Sequence, residues 1–313
     1  MTRRRRQFPL VLAAATVLLV TGCGSEDPRP PADTVSTPIS SSEAPASELP
    51  AAPSPGGGDG GATSSPGADP STAGVDDEHE WSYADGTLAA WSEVQVARPE
   101  QVEVVDDPVR PGYEHAAAFT AGPGDHTFGV TTTIRGEVRS TVAEAGAPTE
   151  GDVQWYSWSS YFPEDFEWDG EDEFLIYTQW HQEANSGSPN VDLWVTDGDD
   201  PEIRMSVRGG LLGEEVSQYT AVYDLGPLVV GEWLDHVVRI EWSSDPEEGD
   251  TRVWIDGEQK VHAVAANLYQ GQSVYFKQGI YAANNTDREH TVYFTDARRG
   301  PSEKSVALED AAD

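Results

Sequence analysis

From Trp81 to Gly300 the apolar residues fall on alternate positions rather than at helical intervals. Val238, Ile240 and Trp242, for example, alternate with Val237, Arg239 and Glu241. Successive side chains of a strand point to opposite faces, so this alternation predicts strands with one buried face. The same pattern predicts strands over 153–162, 173–181, 191–195, 203–209, 236–243, 251–264, 274–281 and 291–298. Asp256-Gly257 divides the 251–264 run with a hairpin turn signal. Many short strands parted by Gly, Pro and Asp turns predict an all-β sandwich or jelly roll. No repeat, P-loop, Gly-x-Gly-x-x-Gly, Cys-x-x-Cys or His-Glu-x-x-His pattern interrupts it.

The N-terminal quarter has a different character. Four arginines, Arg3 to Arg6, precede an apolar run from Phe8 to Val20 that is short for a membrane span. Leu19-Val20-Thr21-Gly22-Cys23 resembles a bacterial lipobox, with Cys23 as the lipidated first residue of the mature chain. Cys23 is the only cysteine, so it has no disulfide partner within the chain. Arg5-Arg6-Gln7-Phe8 also resembles a twin-arginine signal, which leaves the export route open. Residues 24–75 are Pro, Ser, Gly, Ala and acid, too poor in apolar surface to offset the entropy of ordering. The expected organisation is a lipoprotein signal over 1–22, a lipidated cysteine and disordered tether over 23–75, a β-domain over 76–302 and a frayed tail over 303–313. All ten tryptophans lie after the tether. The protein is thus expected on the outer side of the cell envelope, as a monomer held to the membrane by its anchor alone.

Charge narrows the partners. The chain carries −36; Arg3 to Arg6 contribute +4 and residues 24–75 contribute −6, which leaves −34 for the remainder. Such a domain is not a general nucleic-acid binder. Its acidity also has a plain reading, a surface suited to solubility or high salt. Against that background three strands place cations and other polar groups on a single face. Arg135, Glu137 and Arg139 alternate on one; Gln179 and His181 on another, with Trp180 opposite; Tyr275, Lys277, Gly279 and Tyr281 on the third. Each has an ordinary explanation taken singly: a surface ion-pair ladder, a structural histidine, a solvated lysine. Together they offer cations and an amide for a carboxylate, an imidazole for proton transfer and phenols. Gly279 would let a ligand come close to the strand.

The trio "RGEVR", "QWH" and "YFKQGIY", with "WYSWSSYFPEDF" and "FLIYTQWHQ", resembles polysaccharide lyases with a concanavalin-like β-jelly roll, nearest the heparin lyase I-like and glucuronan lyase-like branch. The resemblance runs from about Trp155 to Arg299, with a weaker lead-in from Arg135. Related alginate lyases have Ala where this chain has Gln278, and Asn-Gln where it has Ala282-Ala283, so alginate itself is not indicated. The resemblance implies cleavage of a uronic-acid polysaccharide by β-elimination. It makes Gln179 and an arginine, Arg139 or Arg135, the groups that neutralise the sugar carboxylate. His181 becomes the base and Tyr281 the acid, or the tyrosine serves as both. Arg135, Glu137, Tyr275 and Lys277 become substrate-binding residues. With so few cations, a singly charged uronan suits the face better than heavily sulfated heparin. No cofactor is required; a structural calcium, known in some relatives, is one use for the acidic loops 196–202 and 243–250, whose plainer role is as solvated turns.

Two other classes fit the same fold. A non-catalytic carbohydrate-binding module would use exposed tryptophans such as Trp155, Trp158, Trp168 or Trp180, although core packing is the simpler role for most of them. A glycoside hydrolase would need two placed carboxylates, and the acids before the strand at 173 form no spaced set within one strand.

Overall fold

The computed structural model describes residues 78–170, 174–183, 187–198, 200–211 and 219–309. The expected signal, Cys23 and the expected tether lie outside the described residues. Sixteen strands are described: β1 (His79–Trp81), β2 (Glu93–Val96), β3 (Val102–Val105), β4 (Ala116–Ala121), β5 (Thr133–Arg139), β6 (Val153–Tyr161), β7 (Leu175–Gln182), β8 (Val191–Val195), β9 (Glu202–Gly209), β10 (Tyr219–Pro227), β11 (Trp233–Glu241), β12 (Asp250–Ile255), β13 (Glu258–Val264), β14 (Val274–Ala283), β15 (His290–Phe294) and β16 (Ala297–Gly300). They form two sheets. One runs β13-β12-β11-β6-β15-β4-β3, with β16 beside β6 and β1 beside β16. The other runs β10-β9-β8-β7-β14-β5-β2. The chain passes repeatedly between the sheets and the strand pairs are antiparallel, as in a jelly-roll sandwich.

The alternation explains how the layers close. Val238 and Ile240 of β11 are buried while Val237 and Arg239 reach the other side. Between the sheets, Trp158 of β6 meets Trp180 of β7 at 6.0 Å, and Trp180 meets Phe276 of β14 at 5.2 Å. Each such side chain, taken fully out of water, contributes about 1.5–3 kcal/mol. Trp158, Trp168 and Trp180 are therefore core residues, not sugar platforms, whereas Trp155 lies half-exposed against Trp254.

The predicted strands correspond to β6, β7, β8, β9, β11, β12 with β13, β14, and β15 with β16. Asp256 and Gly257 take φ of 52° and 74°, the left-handed pair that a tight hairpin needs. The run 291–298 is broken because Asp296 turns to accept from Ser82 Oγ and Tyr83 N, both at 2.7 Å. Residues 303–309 differ from the expected frayed tail. Val306 is buried, its carbonyl accepts from Ser157 Oγ, and Arg298 Nη2 holds Glu309 at 2.6 Å. In the described parts of the acidic loops, Asp245 accepts from Glu247 N at 2.8 Å and Thr196 Oγ1 from Glu202 N at 3.0 Å; among the described residues no group of three His, Cys, Asp or Glu side chains is placed to hold a metal.

Candidate active site

The polar positions of the three signature strands meet because β5, β14 and β7 are neighbours in one sheet. Lys277 lies opposite Arg139 on one side and Gln179 on the other; Tyr281 is opposite Arg135, and Tyr275 is opposite His181. Their partners on the reverse side, Val138, Trp180 and Phe276, are in the core. Arg135, Glu137, Arg139, Gln179, His181, Tyr275, Lys277 and Tyr281 thus share the outer face of one sheet.

Glu137 is the hub of that face. The residue is 1% exposed. It accepts from Lys277 Nζ at 2.6 Å and from Gln179 Nε2 at 2.6 Å, and pairs with Arg135 Nη1 at 3.1 Å. Three donors on one carboxylate satisfy the charge and fix three side chains at once. Lys277 is itself buried, so its ammonium serves this hub rather than standing as a solvated charge. Burial lowers its pKa to about 8, although Glu137 pulls the other way.

The flanks of the hub hold the proton-transfer candidates. On one side Tyr281 lies under the Arg135 guanidinium, 4.6 Å from the ring centre. On the other, the rings of His181 and Tyr275 stack at 5.6 Å and Arg139 lies 4.8 Å over Tyr275. His181 Nδ1 is 2.8 Å from the Gln182 carbonyl, which fixes the proton on Nδ1 and leaves Nε2 with a lone pair. Burial lowers the His181 pKa to about 4, helped by the cations Lys277 and Arg135 and opposed by Glu137 and the Gln182 hydrogen bond. The imidazole is therefore neutral at pH 7. Tyr275 is shifted upward by burial, against the pull of Arg139.

Gly279 has another role than giving a ligand room. It sits opposite Glu137 with φ of 127°, where the β14–β7 register slips. A Cβ there would lie 2.3 Å from the Gly136 carbonyl oxygen and 2.8 Å from Phe119 in the core. The glycine permits close packing of β14 on β5 and the local irregularity that follows.

Several residues of this face escaped the sequence pattern. β2 has only four residues, yet it supplies Glu93, 2.5 Å from Arg139 Nε, and Gln95, whose Oε1 accepts from Arg135 Nη1 at 2.9 Å. Beyond β7, Asp192 lies opposite Gln179 and is buried against Arg208. Further along β8 and β9, Trp194 and Arg204 are paired. Alternation in "VDLWV" and "IRMSVRG" already held Asp192, Trp194, Arg204 and Arg208, but only the strand order joins them to the site.

Comparison with known proteins adds an independent observation. A family model described as polysaccharide lyase matches residues 83–298. Among solved structures, an endo-β-1,4-glucuronan lyase from the fungus Trichoderma reesei aligns with a TM-score of 0.58 at 19% identity, over 74% of this chain and 97% of that one. An alginate lyase from Pseudomonas aeruginosa aligns with a TM-score of 0.47 at 18% identity, over 67% and 97%. A search of the curated proteins finds no match.

Proposed function

The chain belongs to the polysaccharide lyase family, and on that premise we propose that its outer β5–β14–β7 face cleaves a uronic-acid polysaccharide, a glucuronan in preference to alginate. It is a lyase of the β-elimination type. The observation that carries the site assignment is the convergence of Arg135, Arg139, Gln179, His181 and Tyr281 on adjacent strands of one face. The glucuronan preference rests on the departures from the alginate lyase motif at Gln278 and Ala282-Ala283, of which Gln278 and Ala282 lie on the core side of β14 and do not face the sugar, and on the jelly-roll likeness to the Trichoderma reesei enzyme.

β-Elimination removes the proton at C5, forms a C4=C5 double bond and expels O4. The obstacle is that C5–H is barely acidic while its neighbouring carboxylate is charged. Donors placed on that carboxylate stabilise the charge that builds up as the proton leaves. Gln179 keeps one amide hydrogen on Glu137 and has a second for the sugar carboxylate; Arg139 and Arg135 each have further N–H groups beyond those their carboxylate partners occupy. His181 Nε2 takes the C5 proton in this scheme. Its low proton affinity in the free protein rises as a substrate carboxylate offsets Lys277 and Arg135. Tyr281 gives its proton to O4 and is reset by solvent.

A panel of uronic-acid polymers, followed by the ultraviolet absorbance of the new double bond, tests this scheme. Absorbance should rise with a glucuronan, and His181→Ala and Tyr281→Phe should each lower turnover by about 10²–10⁴-fold with the fold intact. Binding of every polymer without absorbance would instead support a carbohydrate-binding module, and saturated new reducing ends a hydrolase. In the same scheme the domain works outside the cell, tethered by lipid on Cys23. Cys23→Ala should then release it from the membrane fraction, and retention there would overturn the anchor.

A further inference from the structure

Phe128 stands in the loop between β4 and β5 in a conformation that needs a reason. It is 60% exposed and its φ is 56°, in the left-handed region that bulky L-residues avoid. The loop around it is fixed: Arg135 N donates to Asp125 O at 2.9 Å, His126 Nδ1 meets Thr133 O at 2.9 Å, and Asn284 Nδ2 donates to Thr131 O at 3.1 Å. An apolar ring held out in water on a pinned loop does not serve the core. Its contact is with Arg135, whose guanidinium lies 5.5 Å from the ring centre, on the side of the site that holds Tyr281.

A second aromatic–guanidinium pair lies on the same face, across the sheet. Trp194 of β8 is half-exposed; its Nε1 donates to Ser206 Oγ at 2.9 Å, and Arg204 of β9 lies 5.8 Å from its ring centre. Register joins the two pairs in one row: Arg135 opposite Tyr281, Tyr281 opposite Ile176, Ile176 opposite Trp194, Trp194 opposite Arg204. Four inter-strand steps span about 19 Å, enough for several pyranose rings.

We propose that Phe128 and Trp194 are sugar platforms on opposite sides of Tyr281, each with a guanidinium for a uronate carboxylate, so that the polymer crosses the strands along this row. This rests on the lyase function proposed above. An aromatic face suits the apolar face of a pyranose, and Arg135 and Arg204 supply the charge complement that a uronan requires and a neutral glycan does not.

The test uses wild type, Phe128→Ala, Phe128→Gly and Trp194→Ala with uronan oligomers of increasing length, together with thermal melts. Phe128→Ala and Trp194→Ala should each raise KM for long oligomers by about 5–30-fold, with a smaller change in kcat, and Trp194→Ala should abolish the gain in kcat/KM between short and long oligomers. Phe128→Gly should match Phe128→Ala in KM while melting at a higher temperature than wild type, because glycine accepts the positive φ. Unchanged KM and unchanged length dependence in the variants, with wild type active, would overturn the platforms and leave the lyase function standing. If wild type binds uronans without cleaving them, the same variants are compared by affinity. Loss of length-dependent binding then supports the platforms although the lyase function fails, and wild-type affinity, or no binding by wild type, overturns them.

Discussion

Replacement of Glu137 should separate stability from activity. The carboxylate is buried and holds Lys277, Gln179 and Arg135. Glu137→Gln leaves the Lys277 ammonium buried without its counter-charge, and breaking a buried pair from one side costs about 3–5 kcal/mol. Part of that is recoverable through pH. In the wild type the Lys277 pKa is about 8 when folded, against about 10.5 for an unperturbed lysine, so between those values the unfolded chain binds more protons. Lys277 therefore raises stability as pH increases through that window. Without Glu137 the folded pKa falls further and the window widens downward. The penalty of Glu137→Gln should be largest near pH 6 and shrink towards pH 9. Glu137→Leu with Lys277→Met, which replaces the whole pair by apolar groups, should regain much of the lost stability. It should not regain activity, because Gln179 and Arg135 still lack the carboxylate that orients them. Urea unfolding at pH 6 and 9, with kcat/KM for a uronan, measures both. Near wild-type kcat/KM in the double variant, or a penalty under about 1 kcal/mol at pH 6 for Glu137→Gln, would refute the hub.

Three further outcomes follow from the same geometry. Gly279→Ala should destabilise the domain by at least about 1–3 kcal/mol, since φ of 127° and a 2.3 Å approach to the Gly136 carbonyl both oppose a Cβ; an unchanged denaturation midpoint would contradict the packing. Acid should weaken the fold before the carboxylates titrate, because His181 and His236 have folded pKa values of about 4 and about 3, below the 6.5 of an unperturbed histidine. The unfolded chain then binds more protons, so stability falls as pH drops below about 6.5; buried His236 accounts for a loss on the order of 4 kcal/mol by pH 3, and His236→Gln should flatten the pH dependence of the urea midpoint. Added salt should raise kcat/KM for a polyanion at first, since it screens an acidic domain over ~8 Å at physiological ionic strength while the guanidinium contacts act at shorter range; a monotonic fall from the lowest salt would show that the local cations govern encounter.

Period-two alternation exposed the strands and the three polar stripes because it depends only on each strand's own residues. Arg135-x-Glu137-x-Arg139 already states that its three charges share a face. What alternation cannot state is which strand lies next to which. The same sequence that suggests a surface ion-pair ladder becomes a buried hub only when β14 brings Lys277 to one side of Glu137 and β7 brings Gln179 within 2.6 Å. Lys277 thus changes from an exposed cation to a buried one through its neighbours, with no change in its own strand. β2 escaped because four residues carry too little pattern, and β10 because its exposed Val222 blurs the alternation.

The placement of a carboxylate at the centre of a face proposed to bind a polyanion follows from the same neighbours. Lys277 and Gln179 are buried, and together with the partly exposed Arg135 they converge on the buried Glu137 carboxylate. Left without a counter-charge, the two cations would repel each other, and Lys277, already down to about pKa 8, would lose its proton and with it the hydrogen bonds that order the site. Glu137 keeps the cations charged and their side chains fixed, at the expense of one positive charge in the local balance. A site formed by the cations alone would attract a uronate more strongly at long range. It would also have to reorganise when the substrate arrived, whereas donors already held in place stabilise a developing carbanion without that rearrangement.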